Sequence, residues 1–304
     1  MATLDTAEPL GGSANHAHDA SIKDFVALLK PRVMSLVVFT GVAGMLLAPG
    51  TLHPFLQLLT VFCIALGSGA SGAINMWYDR DIDAIMQRTI KRPLPAGRLN
   101  PDDALAFGII LAIASVALLG LATNWLAAAL LASAILFYVG IYTVWLKRRT
   151  AQNIVIGGVA GAFPPVIGWA AVAGSTSLEP WLLFLIVFLW TPPHFWALAL
   201  FRNEDYTRAN IPMLPVTAGE AATRRQIVFY TFLMVACSLS LPLLGMAGTS
   251  YLICASLLGA VFVWKALRVW HKGASNPKLA PQLFAYSIIY LFVLFAALVA
   301  DHFV

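Results

Sequence analysis

Nine long runs of apolar residues, at about 33–49, 54–77, 104–121, 124–146, 152–173, 180–200, 226–245, 249–270 and 282–301, occupy most of this chain. A hydrocarbon core of about 30 Å is crossed by roughly 20 apolar residues wound as a helix, so each run is long enough to span a bilayer. Of the 304 residues, 60% are apolar and 11% charged, against roughly 45–50% and about 25% in ordinary soluble domains. So few charges could not cover so much apolar surface in water. The expectation is an all-α polytopic membrane protein of about nine transmembrane helices around a central cavity, with the lipid bilayer as its solvent.

Basic residues set the orientation. The gaps near 50–53, 122–124, 174–179 and 246–248 hold no Lys or Arg, and all 19 basic residues fall on the opposite side of a nine-span arrangement. Basic loops stay cytoplasmic, which predicts a cytoplasmic N-terminus and an outer C-terminus. An eight- or ten-span count would break this partition. The net charge of +5 therefore reports topology, and no nucleic-acid partner is expected.

Residues 1–22 carry Asp5, Glu8, His16, His18 and Asp19 without an apolar core, and read as a flexible cytosolic tail rather than a signal peptide. Residues 23–304 are expected to form a single transmembrane domain. The lack of an Arg/Ser-rich transit sequence points to a bacterial inner membrane. Cys63, Cys237 and Cys254 all lie inside apolar runs with no metal-ligand spacing, and read as packing residues. Trp77, Trp145, Trp169, Trp181 and Trp270 are expected in an interfacial belt.

Two cytoplasmic gaps, about 78–103 and 201–225, exceed what a turn requires and mix acidic with basic residues. Long loops on a compact scaffold are usually functional. In the first, Asn75, Asp79 and Asp83 are spaced four apart, which puts them on one helical face, with Asp81 opposite. Carboxylates at i and i+4 repel unless a cation lies between them. Hard oxygen donors at a helix end suit Mg²⁺, which favours carboxylates together with substrate phosphates. Arg88 and Arg92 follow, again four apart, as partners for phosphate oxygens. The bland alternative is a solvated helix end with scattered charges.

This segment, with Lys30-Pro31-Arg32-Val33, the stretch from Tyr142 to Arg148, Thr191-Pro192-Pro193-His194-Phe195-Trp196, and Asp205-Tyr206 with Met213 to Val216, resembles the membrane-bound aromatic prenyltransferases of the UbiA type. Within them it is most similar to the branch that farnesylates protoheme IX. The resemblance covers about 30–220 and implies a Mg²⁺-dependent enzyme. It would transfer a farnesyl group from farnesyl diphosphate to a vinyl group of haem b, with water addition, giving haem O. It also implies Asn75, Asp79 and Asp83 as metal and diphosphate ligands, Arg88 and Arg92 on the diphosphate, and Lys147 and Arg148 as further phosphate contacts. A haem A synthase or a terminal oxidase is the implied assembly partner.

The second motif departs from the quinone-type pattern. His194 stands at its first carboxylate position and Phe201 at its middle one, and only Asp205 is kept, with Glu204 beside it. One metal site with Asp205 joining, through water, is expected rather than two. His194 is either a ligand to haem iron or a hydrogen-bonded core residue. Two rival functions stay open: a prenyltransferase for a quinone precursor or chlorophyll-type acceptor, and a polytopic transporter. A transporter would place ionisable residues near mid-span, and these spans hold almost none.

Overall fold

A computed structural model describes residues 21–304; most of the expected tail lies outside them. The described residues form helices α1 (Ile22–Leu28), α2 (Pro31–Leu47), α3 (Pro54–Tyr78), α4 (Arg80–Asp83), α5 (Pro101–Ala122) and α6 (Trp125–Leu136). After α6 comes a π-helical segment, π1 (Phe137–Leu146), then α7 (Asn153–Ala162), α8 (Pro164–Ala173) and α9 (Leu178–Phe201). The chain ends with α10 (Asn203–Arg208), α11 (Leu214–Thr217), α12 (Gly219–Leu243), α13 (Thr249–Lys272) and α14 (Leu279–His302). No strand occurs among the described residues.

Local chemistry sets the boundaries. Pro31, Pro54, Pro101 and Pro164 each open a helix, where the missing N–H costs nothing. The side chains of Asn100 and Asn124 accept from Asp102 N and Ala127 N, both at 2.9 Å, satisfying amides that the first turn leaves free. Asn124 Nδ2 also donates to Ala170 O at 2.8 Å, fastening the start of α6 to the end of α8.

Among the described residues eight spans are long and apolar enough to cross a membrane, and the bent pair α1–α2, taken as one, makes a ninth. The first expected span is thus divided: α1 and α2 meet at 53°. Lys30, at the joint, takes φ 52° and ψ 53°, a left-handed conformation that ends one helix before Pro31 opens the next. The fifth run breaks at Phe163, ahead of Pro164 and Pro165. By contrast α9 runs unbroken through Pro192 and Pro193. The π1 segment within the fourth span has no counterpart in the hydrophobic pattern.

The helices close into a bundle, with α2 against α3, α8 and α14, α3 against α5, α9 between α12 and α14, and α13 against α12 and α14. The backbones of α2 and α8 approach closely. A Cβ at Gly44 would lie 2.1 Å from Pro165 O, and one at Gly168 2.1 Å from Gly41 O, so only glycine permits this backbone approach. Ile109, Ile110, Ile113, Leu121 and Leu257 stay exposed, as lipid-facing side chains should. Trp145, Trp181 and Trp270 are exposed at helix ends, but Trp169 is buried within α8 and packs inside the bundle instead of at an interface. The three cysteines are free and buried or half-buried.

Candidate active site

Asn75 stands in the last turn of α3, Asp79 at the junction and Asp83 at the end of α4. Asp79 N donates to Asn75 O at 2.9 Å and Asp83 N to Asp79 O at 2.8 Å, so i→i−4 bonding continues across the junction. The three side chains share one face, all but sealed at 4%, 0% and 2% exposure. Asp81 is exposed, as the spacing predicts.

Each buried group is matched. Asn75 Oδ1 accepts from Lys30 Nζ at 2.7 Å, and Asn75 Nδ2 donates to Asp79 Oδ2 at 2.6 Å and to Thr143 Oγ1 at 3.2 Å. Lys147 Nζ donates to the same Asp79 oxygen. Arg92 reaches back across the loop to Asp83 Oδ2 at 2.6 Å, while Thr89 Oγ1 donates to Asp83 O at 2.9 Å and pins that return. Buried charges persist only when paired and hydrogen-bonded, and these pairings let two carboxylates sit below the surface. Arg88, by contrast, is exposed and makes no ion pair among the described residues.

Lys147 and Arg148 point different ways. Lys147 enters the buried cluster, whereas Arg148 grips the exposed Asp81 with both terminal nitrogens, at 2.7 and 2.6 Å. Arg148 also lies over the Tyr78 ring at 5.0 Å and reaches Asp79 Oδ1 only at 3.5 Å. Hydrogen bonding from Arg148 holds the Asp81 carboxyl below its ordinary value. The π1 segment sets this arrangement: Lys147 N bonds to Tyr142 O and Thr143 Oγ1 to Tyr138 O, both five residues back. Five α-helical residues would turn about 140° beyond a full circle; the wider turn stacks these positions on one face. Gly157 accommodates the Tyr142 ring, whose nearest carbon would lie 2.3 Å from a Cβ there.

The second polar loop meets the first. Asp205, in α10, accepts from Gln87 N at 3.3 Å and from Arg208 at 2.5 Å. It does not join Asp79 and Asp83 in a preformed group: no cluster of three His, Cys, Asp or Glu suited to a metal occurs among the described residues. His194 lies between α9 and α14, its ring stacked on Trp190 at 4.2 Å and on Phe284 at 4.5 Å. His194 Nδ1 is 2.6 Å from Ser287 Oγ, which donates to Phe284 O at 2.6 Å. With that hydroxyl proton engaged, Nδ1–H is the donor and Nε2 keeps a lone pair.

Beside the charged cluster opens an apolar slot of about 120 Å³, lined by Val33, Met34, Leu131, Ile135, Tyr138 and Ile167 among others. Lys30, Ser71 and Gly72 form its end nearest Asn75. Sequence reasoning missed Lys30 and Thr143 as members of the site. Lys30 carried a signal, a cation placed just before a proline at the mouth of an apolar run. Thr143 carried none, since its direction depends on π1.

The sequence profile of the UbiA prenyltransferase family matches residues 37–299. The protoheme IX farnesyltransferase of Rhizobium etli (strain CIAT 652) is 55% identical over 303 residues, covering 99% of this chain and 96% of the relative. That of Agrobacterium fabrum is 52% identical, covering 100% and 96%. Among solved structures, a digeranylgeranylglyceryl phosphate synthase superposes with a TM-score of 0.76 at 21% identity, covering 92% of this chain and 98% of the other. A UbiA homolog from Archaeoglobus fulgidus bound to GPP and Mg²⁺ gives 0.64 at 16% identity, covering 91% and 99%. At such identities the superpositions speak to the fold alone.

Proposed function

The chain belongs to the UbiA prenyltransferase family, and from that premise we propose that it transfers the farnesyl group of farnesyl diphosphate to a vinyl group of haem b, giving haem O. The relatives above carry that activity in their name at more than half identity over nearly the whole chain. The observation that carries the reading here is a buried face of hard oxygen donors, ringed by cations, at the end of an apolar slot. An isoprenyl diphosphate has the same two-part chemistry, a charged head on an apolar chain.

Asn75, Asp79 and Asp83 suit Mg²⁺. They present amide and carboxylate oxygens from one helical face, and the side chains that hold those oxygens, Lys30, Lys147 and Arg92, are long basic ones able to move onto phosphate. Mg²⁺ there would neutralise charge developing on the departing pyrophosphate. Lys30, Arg92 and Lys147 then serve as phosphate contacts from inside, with Arg88 and Arg148 at the rim. Asp205 joins through water, from the loop that meets Gln87. The slot walls exclude water while the farnesyl C1–O bond breaks. The haem vinyl carbon bonds to C1, pyrophosphate leaves, and water adds to the resulting cation and loses a proton.

His194 contributes through Nε2, the nitrogen left with a lone pair toward haem iron, while stacking and Ser287 fix its ring. Residues 23–304 act as one catalytic domain in a bacterial inner membrane, N-terminus inside and C-terminus outside. A haem A synthase or terminal oxidase takes the product.

Purified protein in liposomes, supplied with haem b, farnesyl diphosphate and Mg²⁺, is expected to form haem O, read by chromatography and mass. Prenylation of 4-hydroxybenzoate with haem left unconverted would replace this reading with the quinone-type one.

A further inference from the structure

An amide side chain has one end that donates and one that accepts, and only the accepting end of Asn75 can face a metal ion. On the reading that Asn75 is such a ligand, we propose that Thr143 is a positioning residue that fixes which end faces the metal.

Thr143 is fully buried, and its single hydroxyl proton is spent on Tyr138 O at 2.8 Å. Toward Asn75 the oxygen can therefore only accept, and the atom 3.2 Å from it must be Nδ2. Two other contacts agree: Lys30 Nζ donates to Oδ1, and Asp79 Oδ2 accepts from Nδ2. Both are charged groups that a metal and a diphosphate would recruit for themselves. Thr143 is neutral, offers nothing to a phosphate that its carbonyl partner has not already taken, and keeps its place when they turn away. It is then the contact that still holds Oδ1 outward. The π1 segment makes this possible, because the hydroxyl proton goes five residues back and the oxygen is left aimed across the bundle at α3.

The test is binding of Mg²⁺ with the non-ionisable thiolo analogue of farnesyl diphosphate, measured by calorimetry on full-length protein in nanodiscs. Thr143→Val, which keeps shape and removes the acceptor, is expected to weaken binding about tenfold, and Thr143→Ser to stay within about twofold of the parent. Asn75→Asp offers oxygen at both ends and needs no orienting, so adding Thr143→Val to it should cost under about twofold. An equal penalty in both backgrounds would mean that Thr143 only supports packing, and the positioning role would be overturned. If Thr143→Val does not fold, Thr143→Ala is compared with Thr143→Ser in both backgrounds to the same criteria. Asn75→Ala separates this inference from its premise. If it leaves analogue binding unchanged, Asn75 is not a ligand and the site reading fails. If it weakens binding while Thr143→Val does not, the positioning role fails alone.

Discussion

Replacing Gly168 by alanine would put a methyl carbon 2.1 Å from Gly41 O and 3.0 Å from Met45 N. A carbon meets a carbonyl oxygen at about 3.3 Å or more, so α2 and α8 must part by about 1.2 Å. No side chain can absorb the overlap, because backbone stands on the other side. Overpacking of this kind costs about 1–3 kcal/mol. The functional cost should be larger, since Val33 and Met34 on α2 and Ile167 on α8 are facing walls of the slot. Misplacing a substrate by about 1 Å lowers turnover roughly 10²-fold. Gly168→Ala is therefore expected to lower haem O formation about a hundredfold while reducing the unfolding temperature by only a few degrees. Gly140→Ala, where a Cβ would meet nothing within 4 Å, is the control and should change neither. Parent-like activity and stability in Gly168→Ala would refute the claim that this contact sets the slot's width.

Asp79→Asn and Asp83→Asn are each expected to reduce prenyl transfer by about 10² to 10³-fold. Asp79→Asn should also destabilise the fold, by up to about 3–5 kcal/mol, because Lys147 loses its buried partner. Adding Lys147→Met should recover thermal stability without recovering activity, and recovered activity would exclude Asp79 from the chemistry. Because Arg148 depresses the Asp81 carboxyl, the pair's contribution is present above the unfolded carboxylate value of about 3.9 and is lost as pH falls through the lower folded value. The melting difference between parent and Asp81→Asn should thus stay constant through neutral pH and close only in acid. Asp301 accepts from Gly248 N at 2.5 Å and Tyr251 N at 3.2 Å at the start of α13. Asp301→Ala should cost about 1–2 kcal/mol with activity retained, as thermal unfolding and the haem O assay would show.

The spans were legible because a bilayer demands a fixed length of apolar helix, and the Asn75–Asp79–Asp83 face because helical periodicity survives the α3–α4 junction. The joint at Lys30 was half legible: Pro31 announces a break but not that the lysine before it turns inward. Arg88 and Arg92 looked equivalent at spacing four, yet the loop after α4 is a chain of turns, so only Arg92 folds back to Asp83. Lys147 and Arg148 likewise looked alike until π1 sent one inward and left the other on Asp81. Hydrophobic pattern reports which face of a helix is buried on average. It carries no trace of a change from 3.6 residues per turn to a wider winding, and Thr143 was invisible for that reason.

The ion pairs around Asp79 and Asp83 bear on the order of ligand arrival. Asp83 is paired with Arg92, and Asp79 with Lys147 and, at 3.5 Å, with Arg148, so both carboxylates are already neutralised. A lone divalent cation entering the pocket would have to part ammonium and guanidinium groups from their carboxylates with no anion to receive them. A lone diphosphate would draw those groups away and leave bare carboxylates facing its oxygens. When both arrive, each supplies what the other displaces, since the anion collects the basic side chains and the cation collects the carboxylates. On the proposed reading their affinities would be linked, each raising the other's by the same factor, and the pocket would act as an exchanger of salt partners that responds to the metal–diphosphate pair far more than to either ion.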